Sequence, residues 1–295
     1  MDVHSTARAR AADGWRALRA FFAEGARHLP EAIAAFEEAE RLLRRSGTGT
    51  ARPGGEADAG GEVEGVLIGL SIALRLRRRP EDVRRAVVLA QELLNVVRRR
   101  SGEAAAVALR AYLEDAYRDL AEATGDGEAA RAAQEGIDAC DRTLALARRF
   151  HAADAVAHAR ATKALLLRRL AAVQPGAGAR ALLREADRLA TAALAGWPAR
   201  DAEGLAAFRA DVAERLVEGE RPRPSAVERA DGLARQAERA VPAENRYLAA
   251  RVARARARVT LAADRPDALD AVAAAAAAFR ELGLDREAEE VEHWL

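Results

Sequence analysis

Residues 30–45 read PEAIAAFEEAERLLRR, and residues 266–282, near the other end of the chain, read PDALDAVAAAAAAFREL. In the first stretch Ala32, Phe36 and Ala39 fall at i, i+4 and i+7, one stripe of a helix, while Glu37, Glu38 and Arg41 lie outside it. Pro30 suits a first helical turn, where its missing N–H costs nothing, and Glu31 suits the positive end of the helix dipole. The same stripe recurs as Val83, Val87 and Ala90, as Ala129, Ala133 and Gly136, and as Leu182, Ala186 and Leu189. Two further copies are Ala226, Ala230 and Leu233, then Ala268, Val272 and Ala275. Successive first anchors stand 51, 46, 53, 44 and 42 residues apart, a spacing that stacked helical hairpins produce.

Each of these helices follows another apolar-periodic segment. The six are marked by Trp15, Leu18 and Phe22; by Leu67, Leu70 and Leu74; by Leu113, Ala116, Tyr117 and Leu120; by Ala155, Ala159, Thr162, Leu166 and Leu170; by Leu205, Phe208, Val212 and Leu216; and by Val252, Ala255 and Val259. Short breakers at 125–127 (GDG), 174–178 (QPGAG), 221–224 (RPRP) and 264–266 (DRP) separate many of the partners. The prediction is an all-α chain of about six antiparallel hairpins, forming a single domain over 1–295. A hairpin alone leaves one apolar face wet, so each needs its neighbours. A terminal helix within 284–295, with Glu287, Glu289, Glu290 and Glu292 outside and Ala288, Val291 and Trp294 inside, reads as a solubilising cap. The Gly-rich stretch within 45–62 has no apolar period and reads as a flexible loop.

Composition agrees. Half of the 295 residues are apolar, but only twelve are Phe, Trp or Tyr, so the apolar part is mostly Ala, Leu and Val. Ala and Leu are strong helix formers, and small side chains let helices approach closely. Basic and acidic residues nearly cancel, 47 against 46, which gives no concentrated basic excess for nucleic acid. Lys163 is the single lysine. The abundant Arg fits either carboxylate and phosphate recognition or the codon bias of a GC-rich genome. One cysteine, Cys140, excludes an intramolecular disulfide and a cysteine-rich zinc site. The first residues carry no signal-like apolar run, and VLIGLSIAL at 66–74 is too short to span a bilayer. A soluble, cytoplasmic protein without a membrane or nucleic-acid partner is expected.

An A-x3-F-x2-A second helix, as in Ala32, Phe36 and Ala39, resembles the tetratricopeptide repeat superfamily, and Trp15-x2-Leu18 is similar to the start of that family's first helix. The pitch of 42–53 residues exceeds the family's usual repeat of about 34. Long Ala/Arg-rich helices of this kind resemble the arrays of actinobacterial proteins. The resemblance implies a right-handed α-solenoid whose concave groove holds peptides or other proteins.

No phosphate-binding glycine loop, metalloprotease motif or nucleophile elbow is present. Three constellations remain. His151, Asp154 and His158 would fall on one helical arc, within reach of one metal, or form a half-exposed polar edge. Asp115, Asp119 and Glu122, with Tyr112 beside them, would need an opposing acidic helix to hold divalent metal; Arg110 and Arg118 nearby favour a salt-bridged face. Arg251, Arg254 and Arg258 form a positive stripe suited to an acidic ligand, or an ordinary exposed face. RLRRRP at 75–80 ends a helix, where the dipole favours cations.

The helix at 66–76 is apolar all round: Leu67, Leu70 and Leu74 supply a packing face, while Val66, Ile68, Ile72 and Leu76 cover the rest. Such a helix is either enclosed or offers a patch to a partner. In the repeat register, Ile68 and Ile72 would floor a groove walled by Glu114, Arg118, Glu122, Arg160 and Lys163, unless the first hairpin folds over the two isoleucines. The leading expectation is a non-catalytic adaptor or regulatory protein that binds a protein or peptide, without cofactor, with a homo-oligomer compatible. The alternatives are a sensor for a small signal ligand and an all-α metal-dependent enzyme.

Overall fold

A computed structural model describes residues 3–46, 57–174, 176, 178–218 and 222–295. All regular structure among the described residues is helical. In chain order the α-helices are α1 (Val3–Glu24), α2 (Leu29–Arg45), α3 (Ala57–Arg77), α4 (Pro80–Ala123), α5 (Asp126–Phe150), α6 (Ala153–Val173), α7 (Ala179–Ala195), α8 (Ala202–Leu216), α9 (Pro224–Glu238), α10 (Arg246–Ala262), α11 (Ala268–Glu281) and α12 (Asp285–Glu292). A 3₁₀ turn, Ala26–His28, joins α1 to α2. Among the described residues, no helix is long and apolar enough to cross a membrane. The expected Gly-rich loop falls largely at 47–56, outside the described residues, and 57–62 are already the first turns of α3.

The chain divides into two compact units. Unit 1 comprises residues 1–18 and 29–196, and unit 2 residues 19–28 and 197–295. In unit 1 each helix from α2 to α6 packs on its successor, and α4 also packs on α6. In unit 2, α8 to α12 pack in the same consecutive way, and α8 also meets α10. Neighbour-on-neighbour packing with an additional contact between first helices is what stacked hairpins give. Most anchors of the repeated stripe are buried, with Phe36, Ala129, Ala186, Ala230 and Val272 showing no exposed surface, while Leu182 and Ala226 are half-buried. Their apolar period is the reason these segments fold as helices with one face inward.

The second and third hairpins share one helix. Gly102, at φ 83° and ψ 175°, is the one non-helical residue inside α4, a conformation almost confined to glycine. It splits α4 into an N-arm (80–101) and a C-arm (103–123). Gln91 Nε2 on the N-arm donates to the Tyr117 hydroxyl oxygen on the C-arm at 3.1 Å. In a straight helix those residues would stand about 39 Å apart, so the arms fold back on each other.

Phe36 fixes the start of unit 1. Its ring meets Trp15 edge-on, centroids 5.4 Å apart at 83°. Gly14 of α1 and Gly69 of α3 expose backbone to the same ring. A Cβ on Gly69 would lie 2.3 Å from Phe36 Cζ, whereas one on Gly65 would meet nothing within 4 Å. Gly65→Ala is therefore expected to stabilise by up to about 1 kcal/mol, the ordinary helix-propensity gain. Gly69→Ala, one turn later, should destabilise by about 1–3 kcal/mol through overpacking. Urea unfolding followed by circular dichroism checks the opposite signs.

In unit 2, Ala206, Ala210, Ala237, Leu248, Val252 and Ala255 form one core cluster, with Ala207, Ala240 and Val241 packed on it. Phe21, rather than the expected Phe22, carries no exposed surface, and its ring lies 5.2 Å from that of Tyr247. The backbone N–H of Ala26 donates to Leu282 O at 2.6 Å. In the terminal helix Ala288 and Val291 are buried as expected, but Glu287 is buried with them.

Candidate functional site

The α3 helix puts Ile68, Ile72 and Arg75 on one stripe, at i, i+4 and i+7. The core face of that helix is already filled by Val66, Leu67, Leu70 and Leu74, all 2% exposed or less, while Ile68 and Ile72 stay half-buried. Arg75 shows where the stripe leads. Its Nε donates to Asp119 Oδ2 at 2.6 Å, and its Nη2 lies 3.2 Å from Asp115 Oδ2, both on the C-arm of α4. Arg118 closes the arrangement, with Nε and Nη2 donating to Asp119 Oδ1 at 3.0 and 2.9 Å and Nη1 3.2 Å from Asp115 Oδ1. From α6, His158 Nε2 comes within 3.3 Å of Asp115 Oδ1. Arg78 Nη2 lies 3.8 Å from Glu122 Oε2 one turn on. Three first helices, α3, the C-arm of α4 and α6, thus meet along a seam of alternating charge.

Electrostatics follow from that geometry. Burial pushes the Asp115 carboxyl up, but the Arg118 and Arg75 guanidiniums and His158 outweigh it and hold the group well below the usual carboxylate range. Asp119 goes the same way, with Arg118 and Arg75 overcoming burial. Burial works against the charge of Arg75, and Asp119 and Asp115 restore it. Burial raises the Tyr112 phenol, which also feels Arg75 and Asp115, so the ring borders the same seam. Both aspartates keep about a fifth of their side chains exposed, 19% and 20%, and Arg75 keeps 12%, so the seam has one face to solvent.

The expected groove wall divides. Arg118 and Glu122 belong to the seam. Glu114 does not: it is 1% exposed, turned inward from the C-arm among α5 and α6. A shift of one residue from Asp115 rotates a side chain by about 100°, which separates the paired acid from the buried one. Lys163 turns to α5, where its Nζ donates to Asp141 Oδ1 at 2.6 Å, and Arg160 is half-buried on α6.

The histidine arc does not form. His151 is the left-handed cap of α5, at φ 56°, and its backbone N–H donates to Ala147 O. The arc assumed one continuous helix, but α6 starts only at Ala153, with Asp154 exposed in its first turn and His158 turned to Asp115. Among the described residues no group of three or more His, Cys, Asp or Glu is arranged to hold a metal ion. Asp115, Asp119 and Glu122 face cations on the neighbouring helices rather than a second acidic helix.

In unit 2 the arginine stripe is internally engaged. Arg251 Nη2 donates to Asp211 Oδ1 at 2.6 Å, Arg254 Nε donates to Glu214 Oε2 at 3.1 Å, and the Arg258 guanidinium sits 4.7 Å above the Trp294 ring. The first two tie α10 to α8, so their charge is directed at that packing contact.

The residue that sequence reasoning missed is Arg75. A cation in the last turn of a helix is accounted for by the dipole, and only the i, i+7 spacing from Ile68 hinted that it shared the isoleucine face. Compared with protein-family models and with curated proteins, the chain matches none.

Proposed function

We propose that this is a non-catalytic, tetratricopeptide-like repeat protein that binds a protein or peptide partner along the face of α3, the C-arm of α4 and α6. The observation that carries the reading is the half-buried pair Ile68 and Ile72, lying beside a charged seam on a helix whose core face is complete without them. An apolar strip bordered by fixed charges of both signs suits an amphipathic helix or extended segment, with the isoleucines giving affinity and the seam giving orientation. Near-zero net charge agrees with a protein partner rather than a polyanion. The contacting set is Ile68, Ile72, Arg118, Asp119 and Glu122, with Arg160 at the α6 edge; Glu114 and Lys163 lie off it.

Capture from native lysate on the immobilised chain, wild type against Ile72→Asp, tests this. The variant is expected to lose at least tenfold in partner recovery, as removal of one central apolar anchor does, while helicity and melting temperature stay near wild type. Undiminished capture by Ile72→Asp defeats the reading. An unfolded Ile72→Asp places the residue in the core and removes the floor of the site.

A further inference from the structure

Glu114 has 1% of its surface exposed, and neither carboxylate oxygen accepts a hydrogen bond. The Thr143 hydroxyl stands beside it, donating to Ala139 O at 3.1 Å and accepting from Arg110 Nε at 2.9 Å. A bare carboxylate in this position is among the most costly single groups a fold can contain, and taking up a proton relieves it. Across the packing of α4 on α6 stands His158, 3.3 Å from Asp115 Oδ1 and 3.4 Å from the Thr162 hydroxyl. A charged imidazolium there attracts Asp115, and a neutral ring does not; a Glu114 carboxyl that holds its proton adds no buried charge to the contact.

We infer that Glu114 and His158 form a proton-dependent joint between the third hairpin (the C-arm of α4 with α5) and the fourth (α6 with α7). It is tightest when both groups hold a proton and loosens as rising pH removes it.

The surrounding charges support one direction. On α4 itself Arg110, Asp115 and Arg118 bear on the pair; α5 contributes Cys140 and Thr143; α6 contributes His158; and Arg75 of α3 acts through Asp115. Burial drives the Glu114 carboxyl above its ordinary 4.5, against the pull of His158, Thr143 and Arg110. Burial pushes His158 down, but Asp115 and Glu114 carry it above its ordinary 6.5. Cys140 is pushed well up by burial, then by Glu114 and Asp115, and stays a thiol through this range.

The signs then agree. Both groups bind protons more tightly folded than unfolded, so the stability they confer is complete below their unfolded values and is lost as pH rises through their folded ones. Because they interact, the two protons leave as a coupled pair. Asp115 and Asp119, held below their ordinary 3.8, bring loss only on the acid side of that value. The joint is therefore strongest under mildly acidic conditions.

Hydrogen–deuterium exchange on the full chain between about pH 5 and 8, corrected for intrinsic rates, tests this over 113–123 and 155–170. In the wild type, protection there should fall as pH rises. In Glu114→Gln the dependence should weaken to the part carried by His158 and Asp115. An NMR titration should place the His158 midpoint above 6.5 in the wild type, and lower in Glu114→Gln. Flat wild-type protection, an unchanged slope in Glu114→Gln, or a wild-type His158 midpoint at or below 6.5 each overturns the inference. Both wild-type readings stand if the variant fails to fold.

Discussion

Phe36→Asp should unfold the beginning of unit 1, with a loss of at least about 3–5 kcal/mol in urea titrations followed by helicity, the range for deleting a buried aromatic ring alone. The ring has no exposed surface and lies between Trp15, Gly14 and Gly69, so its removal empties the place where α1, α2 and α3 meet. The carboxylate adds a charge to a place with no exposed surface. The guanidiniums of α2 at Arg41 and Arg44 are already engaged with Glu38, Glu40 and Glu92 on the exposed side of the helix. Phe36→Leu separates the two contributions: it should keep most of the fold and lose only part of the packing. A Phe36→Asp protein that melts within about 1 kcal/mol of wild type would mean that this contact does not hold the three helices together.

Arg75→Ala should also be damaging, by about 1–3 kcal/mol, because it removes one of the two guanidiniums that these part-buried carboxylates face. Asp115 and Asp119 would then face each other across one helical turn with Arg118 and His158 as their remaining cations. A pH signature accompanies the loss. The two carboxyls titrate below their ordinary 3.8 in the fold, so they add stability above that value and withdraw it as pH falls through their folded values. Without Arg75 those folded values rise, and acid unfolding should begin at higher pH than in the wild type. Acid titrations of both proteins, read by circular dichroism, decide it. Coincident acid transitions would show that Arg118 and His158 hold the charge of the seam without Arg75.

These two residues mark what could be read in the sequence. Phe36 was legible because burial of a helix leaves a period of 3.6, and Ala32, Phe36 and Ala39 keep it; the other five stripes do the same, and with them the order of the hairpins. Arg75 was not, because its role depends on which helix stands opposite, and no local pattern records that. Glu114 reads on paper like any acid of an Arg-rich helix, and only the rotation of the C-arm turns it inward. His151 looked helical because a left-handed cap is usually written with glycine or asparagine, and here a histidine fills it. The turn between the second and third hairpins was written with a lone glycine, which inside a helical pattern gives no warning of a reversal.

That lone glycine constrains how the chain can diverge. Where hairpins are joined by several loose residues, an added or deleted residue is absorbed in the connection. At Gly102 the reversal is made by one residue at the join of two long arms, so an insertion or deletion within either arm turns everything beyond it by about 100°. Asp115 and Asp119 would then swing away from Arg75, and the Leu113, Ala116 and Leu120 face away from its core. Among descendants of this sequence, length changes should be rare between 80 and 123, while substitutions on the outer faces of both arms accumulate freely.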